Sequence, residues 1–174
     1  MKLALPLEPW TWRLPESAVG YRPWLLDRGS LTRRIQQRCN AFGVRGVQQR
    51  ESRLTGGGGR KLGRALIREV FLHCGEAPVV YACSVLPMDT LRGPWNRLGN
   101  LGETPLGAVL FGDPRVKRQP LCFKKLHPRH PLYRRACAGM DEKPAYLWAR
   151  RSEFRLHRGR IWVTEVFLPP ILGL

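Results

Sequence analysis

Apolar positions along this chain change period several times, and the changes divide it into elements. From Phe42 to Gln49, Ala65 to Leu72, Val79 to Leu86, Ala145 to Leu156 and Ile161 to Leu168, β-branched and aromatic residues are dense enough to predict strands. A turn at Cys74-Gly75-Glu76-Ala77-Pro78 joins two of these strands, and His157-Arg158-Gly159 joins the last pair, so two hairpins are expected. Helical spacing is confined to short pieces. Trp24-Leu25-Leu26 opens one, and Ser30 is placed to cap another in which Leu31 and Ile35 stack at i, i+4 with Arg33, Arg34 and Arg38 outside. Asp89 to Leu98 and Leu106 to Phe111 read as two more, joined by a Gly-rich turn. Residues 1–22, broken by Pro6, Pro9 and Pro15, form an irregular lead-in. Thr55 to Lys61, with four consecutive glycines, is a flexible loop, and the proline-broken stretch from Arg115 to Arg135 reads as irregular. Strands and helices do not strictly alternate. The expected fold is therefore α+β, a single domain over residues 1–174, with helices on one side of an antiparallel sheet.

At 174 residues the chain can bury roughly 70% of its unfolded surface without metals or disulfides. Its formal charge of +17, carried mostly by Arg, attracts anions, whether nucleic acid, anionic lipid or small acidic metabolites. The five cysteines are widely spaced and form no CxxC pair, so reduced, mostly buried thiols are expected. The apolar Leu3–Leu7 is cut by Pro6 and is too short for a signal-peptide core. The apolar run from Ala77 to Met88 holds two prolines and cannot span a bilayer, which points to a soluble, cytoplasmic protein.

Several conspicuous motifs lack the residues their chemistry needs. Gly56–Gly59 followed by Arg60-Lys61 has neither the spacing of a phosphate loop nor its Ser/Thr. His127 and His130 are separated and followed by prolines, with no third metal ligand beside them, so no metal site is expected. The basic cluster Arg115, Lys117, Arg118, Lys124, Lys125, Arg129, Arg134 and Arg135, interleaved with Phe123 and Tyr133, would suit a nucleic-acid-binding module. No recognised nucleic-acid-binding signature accompanies it, and a solvated basic face is the preferred reading.

Two charges stand out against this background. Arg68 lies in Ala65–Leu72 and shares a strand face with Leu66, Val70 and Leu72; Glu165 lies in Ile161–Leu168 and shares one with Ile161, Val163 and Phe167. On a core-facing side each costs several kcal/mol unless compensated. Three readings stay open: an ion pair between them, an exposed face, or a cavity for a small polar ligand. In a cavity, Arg is suited to grip a carboxylate with parallel hydrogen bonds, and Glu to proton transfer or to holding a hydroxyl. Such a site fits a small hydroxy-carboxylic acid.

The stretches WLLDRGSLTRRI (24–35), IREVFL (67–72), VVYACSVLP (79–87), LGETPLGAVLF (101–111) and LWARRSEFRLHRGRIWVTEVFLP (147–169) together closely resemble the chorismate pyruvate-lyase (chorismate lyase) family, in family order from about residue 23 to the C-terminus. The resemblance implies a cofactor-independent, monomeric lyase that converts chorismate to 4-hydroxybenzoate and pyruvate at the start of bacterial ubiquinone biosynthesis. It also implies an antiparallel sheet with an internal cavity beneath helical flaps. Carried over by position, the ligand-contacting residues are Leu31, Arg68, Leu106 and Glu165. Arg68 would grip the ring carboxylate and Glu165 the ring hydroxyl, with Leu31 and Leu106 on the flaps. A non-catalytic binding domain of the same general fold is the alternative.

Two departures accompany the match. Where the family often carries an Arg before the Ser or Thr of the VVYACSVLP strand, this chain has Cys83. If that Arg helps hold the enolpyruvyl carboxylate, another must serve here, and Arg150 and Arg151 are the candidates. The stretch from Arg115 to Lys143 is also longer and more basic than the family leads one to expect.

Overall fold

The structure, a computed structural model, describes residues 3–4, 10–55, 61–93 and 95–174. The glycine loop at 56–60 and much of the N-terminal lead-in lie outside the described residues. The strands are β1 (Leu3–Ala4), β2 (Phe42–Thr55), β3 (Lys61–Cys74), β4 (Ala77–Pro87), β5 (Lys117–Arg118), β6 (Cys122–Leu126), β7 (Leu147–Leu156) and β8 (Gly159–Phe167). They form one sheet in the order β1-β2-β3-β4-β8-β7-β5, with β6 also paired to β7. All pairings are antiparallel except that of β1 with β2. Helices α1 (Arg22–Leu25), α2 (Leu31–Gln36), α3 (Met88–Leu91) and α4 (Leu106–Gly112) accompany one face. The antiparallel α+β expectation holds. One further helix, α5 (Pro131–Ala136), covers the opposite face, where Leu132, Tyr133 and Ala136 pack with Tyr81, Ala149 and Val166.

Alternation along the strands sorts residues between the two faces. Arg68 of β3 pairs with Ser84 of β4, Ser84 with Val163 of β8, and Val163 with Ser152 of β7. The neighbouring row on the same face runs Val70, Ala82, Glu165, Arg150. The opposite face carries the row Glu69, Cys83, Thr164, Arg151.

Three expectations are corrected. β2 continues through the polar run 48–55 because that segment sits near the sheet edge, where a solvated strand needs no apolar side chains; a bulge at Gly46-Val47 shifts its register. The stretch 115–135 is not irregular. β5 and β6 occupy the free edge of β7, Pro120 falls between them, and Pro131 begins α5, where its missing N–H is harmless. His130 caps α5 by accepting from the Leu132 N–H.

The third correction is that Cys39 and Cys74 form a disulfide. Phe42 pairs with Cys74 in the β2–β3 ladder, so the chain leading from α2 into β2 passes beside the end of β3, and the two Cα atoms stand 5.7 Å apart. Cys83, Cys122 and Cys137 are free and buried. Among the described residues no helix is long and apolar enough to cross a membrane.

Candidate active site

The covering segments are held down by arginines that rise from the sheet. Arg68, only 2% exposed, donates through Nη2 to the carbonyls of Gly102 (2.9 Å) and Thr104 (3.2 Å), in the loop that leads into α4. Gly102 takes a φ of 52°, a left-handed conformation that glycine adopts without strain. Arg150, fully buried, donates through Nη1 to the carbonyls of Trp24 (2.8 Å) and Asp27 (2.6 Å), at and just beyond the end of α1. Arg118 of β5 donates to the carbonyls of Arg28 (3.1 Å) and Gly29 (3.2 Å), just ahead of α2. Charge-assisted bonds of this kind stabilise by about 1.5–3 kcal/mol each. As expected, Ser30 caps α2, its Oγ accepting from the Arg33 N–H at 3.3 Å.

Between sheet and helices lies a cavity of about 50 Å³. Its floor carries Arg68, Val70, Ser84 and Glu165, and its cover includes Leu31 and Thr32 of α2 and Leu106 and Gly107 of α4. Arg118, Phe111 and Phe154 complete the wall. All four sequence-predicted residues, Leu31, Arg68, Leu106 and Glu165, therefore line one space. Sequence reasoning missed Arg118, which lay inside a basic run with nothing local to set it apart.

The charges are not paired as the ion-pair reading supposes. Glu165 accepts from Arg150 Nε at 2.5 Å and lies 3.6 Å from Arg118 Nη2. Among the described residues, Arg68 has no carboxylate partner, and its Nε is buried without a hydrogen bond. Burial holds the Arg68 pKa below the ordinary arginine value, with no counter-ion to offset it. Other arginines on the sheet do have anions: Arg50 and Arg135 meet Glu69, and Arg150 and Arg118 meet Glu165.

The other two arginine candidates separate cleanly. Arg150 reaches Glu165 on the cavity side, whereas Arg151 points to the opposite face, donating to Thr164 Oγ1 at 2.8 Å with its guanidinium 4.2 Å from the centre of the Trp10 ring. Cys83 shares that opposite face, so its departure from the family pattern does not touch the cavity. Burial there pushes the Cys83 thiol up to about 12.

A model of the chorismate lyase family matches residues 11–173. A protein of Nitrosomonas europaea called "Probable chorismate pyruvate-lyase" is 48% identical over 173 residues, covering 95% of this chain and 97% of the relative. One of the same name from Nitrosospira multiformis is 52% identical over 159 residues, covering 88% of each. Among solved structures, a GntR-family transcriptional regulator from Bacillus cereus superposes with a TM-score of 0.51 at 9% identity, over 74% of this chain and 92% of its own. The ligand-binding domain of a protein assigned to the same regulator family, from Bordetella bronchiseptica, gives 0.52 at 16% identity, over 74% of this chain and 84% of its own. These two likenesses concern the fold alone.

Proposed function

The chain belongs to the chorismate lyase family, and on that footing we propose that it converts chorismate to 4-hydroxybenzoate and pyruvate, with Arg68 and Glu165 at the two polar ends of the ring. The observation that carries the assignment of residues is Arg68: buried at the cavity floor, without a carboxylate partner, its Nε unmatched. A ring carboxylate supplies both the charge and the acceptors that this guanidinium lacks. Glu165 then accepts from the ring hydroxyl, and Leu31 and Leu106 close over the apolar faces.

In the reaction the ring keeps its 4-hydroxyl. The C3–O bond breaks with its electron pair going to the enolpyruvyl oxygen, the hydrogen on C4 is lost, and the ring becomes aromatic. Aromatisation drives the step downhill, so the protein has to fix one conformer and stabilise charge on the departing enolpyruvate. Two routes satisfy this balance: Glu165 takes the C4 proton, or the hydrogen passes internally to the enolpyruvyl methylene while Glu165 orients the hydroxyl. The short hydrogen bond from Arg150 Nε holds the Glu165 carboxylate in a fixed orientation, a geometry that suits the second route. The same reading takes in a monomeric, cytoplasmic enzyme that needs no cofactor and feeds ubiquinone biosynthesis.

The test mixes purified protein, without added metal, with chorismate, and follows 4-hydroxybenzoate by chromatography and pyruvate by a coupled assay. Equal amounts of both are expected, with activity lost in Arg68→Ala and largely lost in Arg68→Lys, because one ammonium cannot copy a planar fork. Binding of 4-hydroxybenzoate without turnover would leave a sensing domain, and near-normal kinetics in Arg68→Lys would remove Arg68 from its role.

A further inference from the structure

Chorismate carries two carboxylates, and Arg68 accounts for one. We infer that Arg118 is the second anion-binding residue of the cavity, holding the enolpyruvyl carboxylate. The inference rests on the lyase reading for the identity of the ligand and on geometry for the choice of residue.

The inventory of partners singles Arg118 out. Its Nε donates to Ser152 Oγ at 2.9 Å and its Nη1 to the carbonyls of Arg28 and Gly29, so the guanidinium plane is fixed from two sides. Its Nη2 has only the 3.6 Å approach to Glu165 Oε2, beyond hydrogen-bond reach, so among the described residues its two N–H groups have no acceptor. The side chain is 12% exposed and lines the cavity beside Phe111 and Phe154, whose ring centres lie 5.6 and 5.2 Å from its guanidinium carbon. Burial pushes its pKa down to about 10, which keeps it cationic at neutral pH. The two arginines suggested by the sequence do not serve. Arg151 is on the other face, and Arg150 does not line the cavity: its Nε and Nη1 are committed to Glu165, Trp24 and Asp27, and its remaining Nη2 is buried without a partner among the described residues, away from that lining.

A count of charge agrees. Arg68, Arg118 and Glu165 line the cavity and Arg150 lies against Glu165, so three guanidiniums accompany one carboxylate, an excess of two positive charges. Asp27, also near, is matched by Arg34 at 2.7 Å. An excess of two suits a dicarboxylate and exceeds what 4-hydroxybenzoate neutralises. Because Arg118 also holds the carbonyls ahead of α2, the group that reads the second carboxylate helps to seat the flap.

The experiment compares binding of 3-(carboxymethoxy)-4-hydroxybenzoate, its 3-methoxy counterpart and 4-hydroxybenzoate by calorimetry. The first of these places a second carboxylate on an ether arm beside the hydroxyl. The wild-type protein is expected to prefer the dicarboxylate to the methoxy compound by roughly 10- to 150-fold, the worth of a charge-assisted contact. Arg118→Met should abolish that preference and lower kcat/KM for chorismate by at least a similar factor, weakening 4-hydroxybenzoate binding only by the smaller amount that a loosened flap costs. Equal weakening of all three ligands would assign Arg118 a purely structural role and overturn the inference. So would the absence of any preference in the wild-type protein, a result that does not depend on how the variant folds. Wild-type protein that fails to turn over chorismate yet keeps the preference overturns the lyase reading and leaves the Arg118 assignment standing.

Discussion

Glu165 holds its position through Arg150 and faces Arg118, so its charge is balanced before any ligand arrives. That arrangement makes Glu165→Gln informative. The amide keeps the shape and can still accept from a ring hydroxyl, so an orienting role predicts a fall in kcat of less than about 100-fold, whereas a general base predicts 10²–10⁴-fold. Steady-state kinetics of chorismate turnover would separate the two. Arg68 behaves differently because no carboxylate among the described residues balances it, and its buried Nε has no hydrogen-bond partner. Both residues were legible from their strands, since a charge repeated at the period of an apolar face is conspicuous. Their partners were not. The same two charges could have met each other, and only the rows Arg68–Ser84 and Ala82–Glu165–Arg150 show that they do not.

Contacts between elements set how tightly the cavity is closed. Gly107 of α4 lies against α2, and a Cβ built there would stand 3.2 Å from Ser30 Oγ and 3.3 Å from Thr32 Oγ1. Gly107→Ala should therefore lift α4 from α2 and reduce kcat/KM, with a stability loss of about 1–3 kcal/mol at most, checked by kinetics alongside urea denaturation.

On the opposite face, Glu69 of β3 binds α5 to the sheet. It accepts from Arg135 at 2.7 Å and from Arg50 and Tyr81. Burial works against the charged carboxylate, but the hydrogen bonds from Arg50 and Tyr81 and the charges of Arg135 and Arg50 outweigh it, holding the pKa below the ordinary 4.5. A lowered carboxylate pKa means that the unfolded chain binds the proton more readily. The stabilisation is therefore complete above 4.5 and is lost as pH falls through the lower folded-state value. Glu69→Gln should destabilise the protein by about 3–5 kcal/mol at neutral pH. The gap to wild type should narrow below pH 4.5, which denaturation across a pH series would show. Neither α5 nor the short strands before it was visible in the sequence, because their basic side chains point in several directions: Arg118 into the cavity, Arg135 to Glu69, and Lys125 over the Tyr146 ring at 3.7 Å. A run of charges reads as a solvated face when its members are in fact divided between two sides of a sheet.

Across the full fold, the Cys39–Cys74 disulfide closes a sequence separation of 35 and ties the segment after α2 to the end of β3. Reduction, or Cys39→Ser, is expected to lower stability by about 2–4 kcal/mol, measured as a shift in the urea midpoint with and without reductant. The net charge of +17 surrounds a cavity that itself holds surplus positive charge, so its long-range field and its local one both favour an approaching dianion. What the amino-acid order decided is what depends on near neighbours: strands from alternation, the cap at Ser30, the hairpins, and two charges out of place among apolar residues. Motifs spread from residue 24 to residue 169 also carried the family and its four expected ligand contacts. What only the folded arrangement decided is which charges meet: Arg150 rather than Arg68 with Glu165, Arg118 rather than Arg151 in the cavity, and Cys39 with Cys74. Those pairings depend on strand order and register between segments far apart in the chain, and a shift of one residue in register would have reversed every one of the faces.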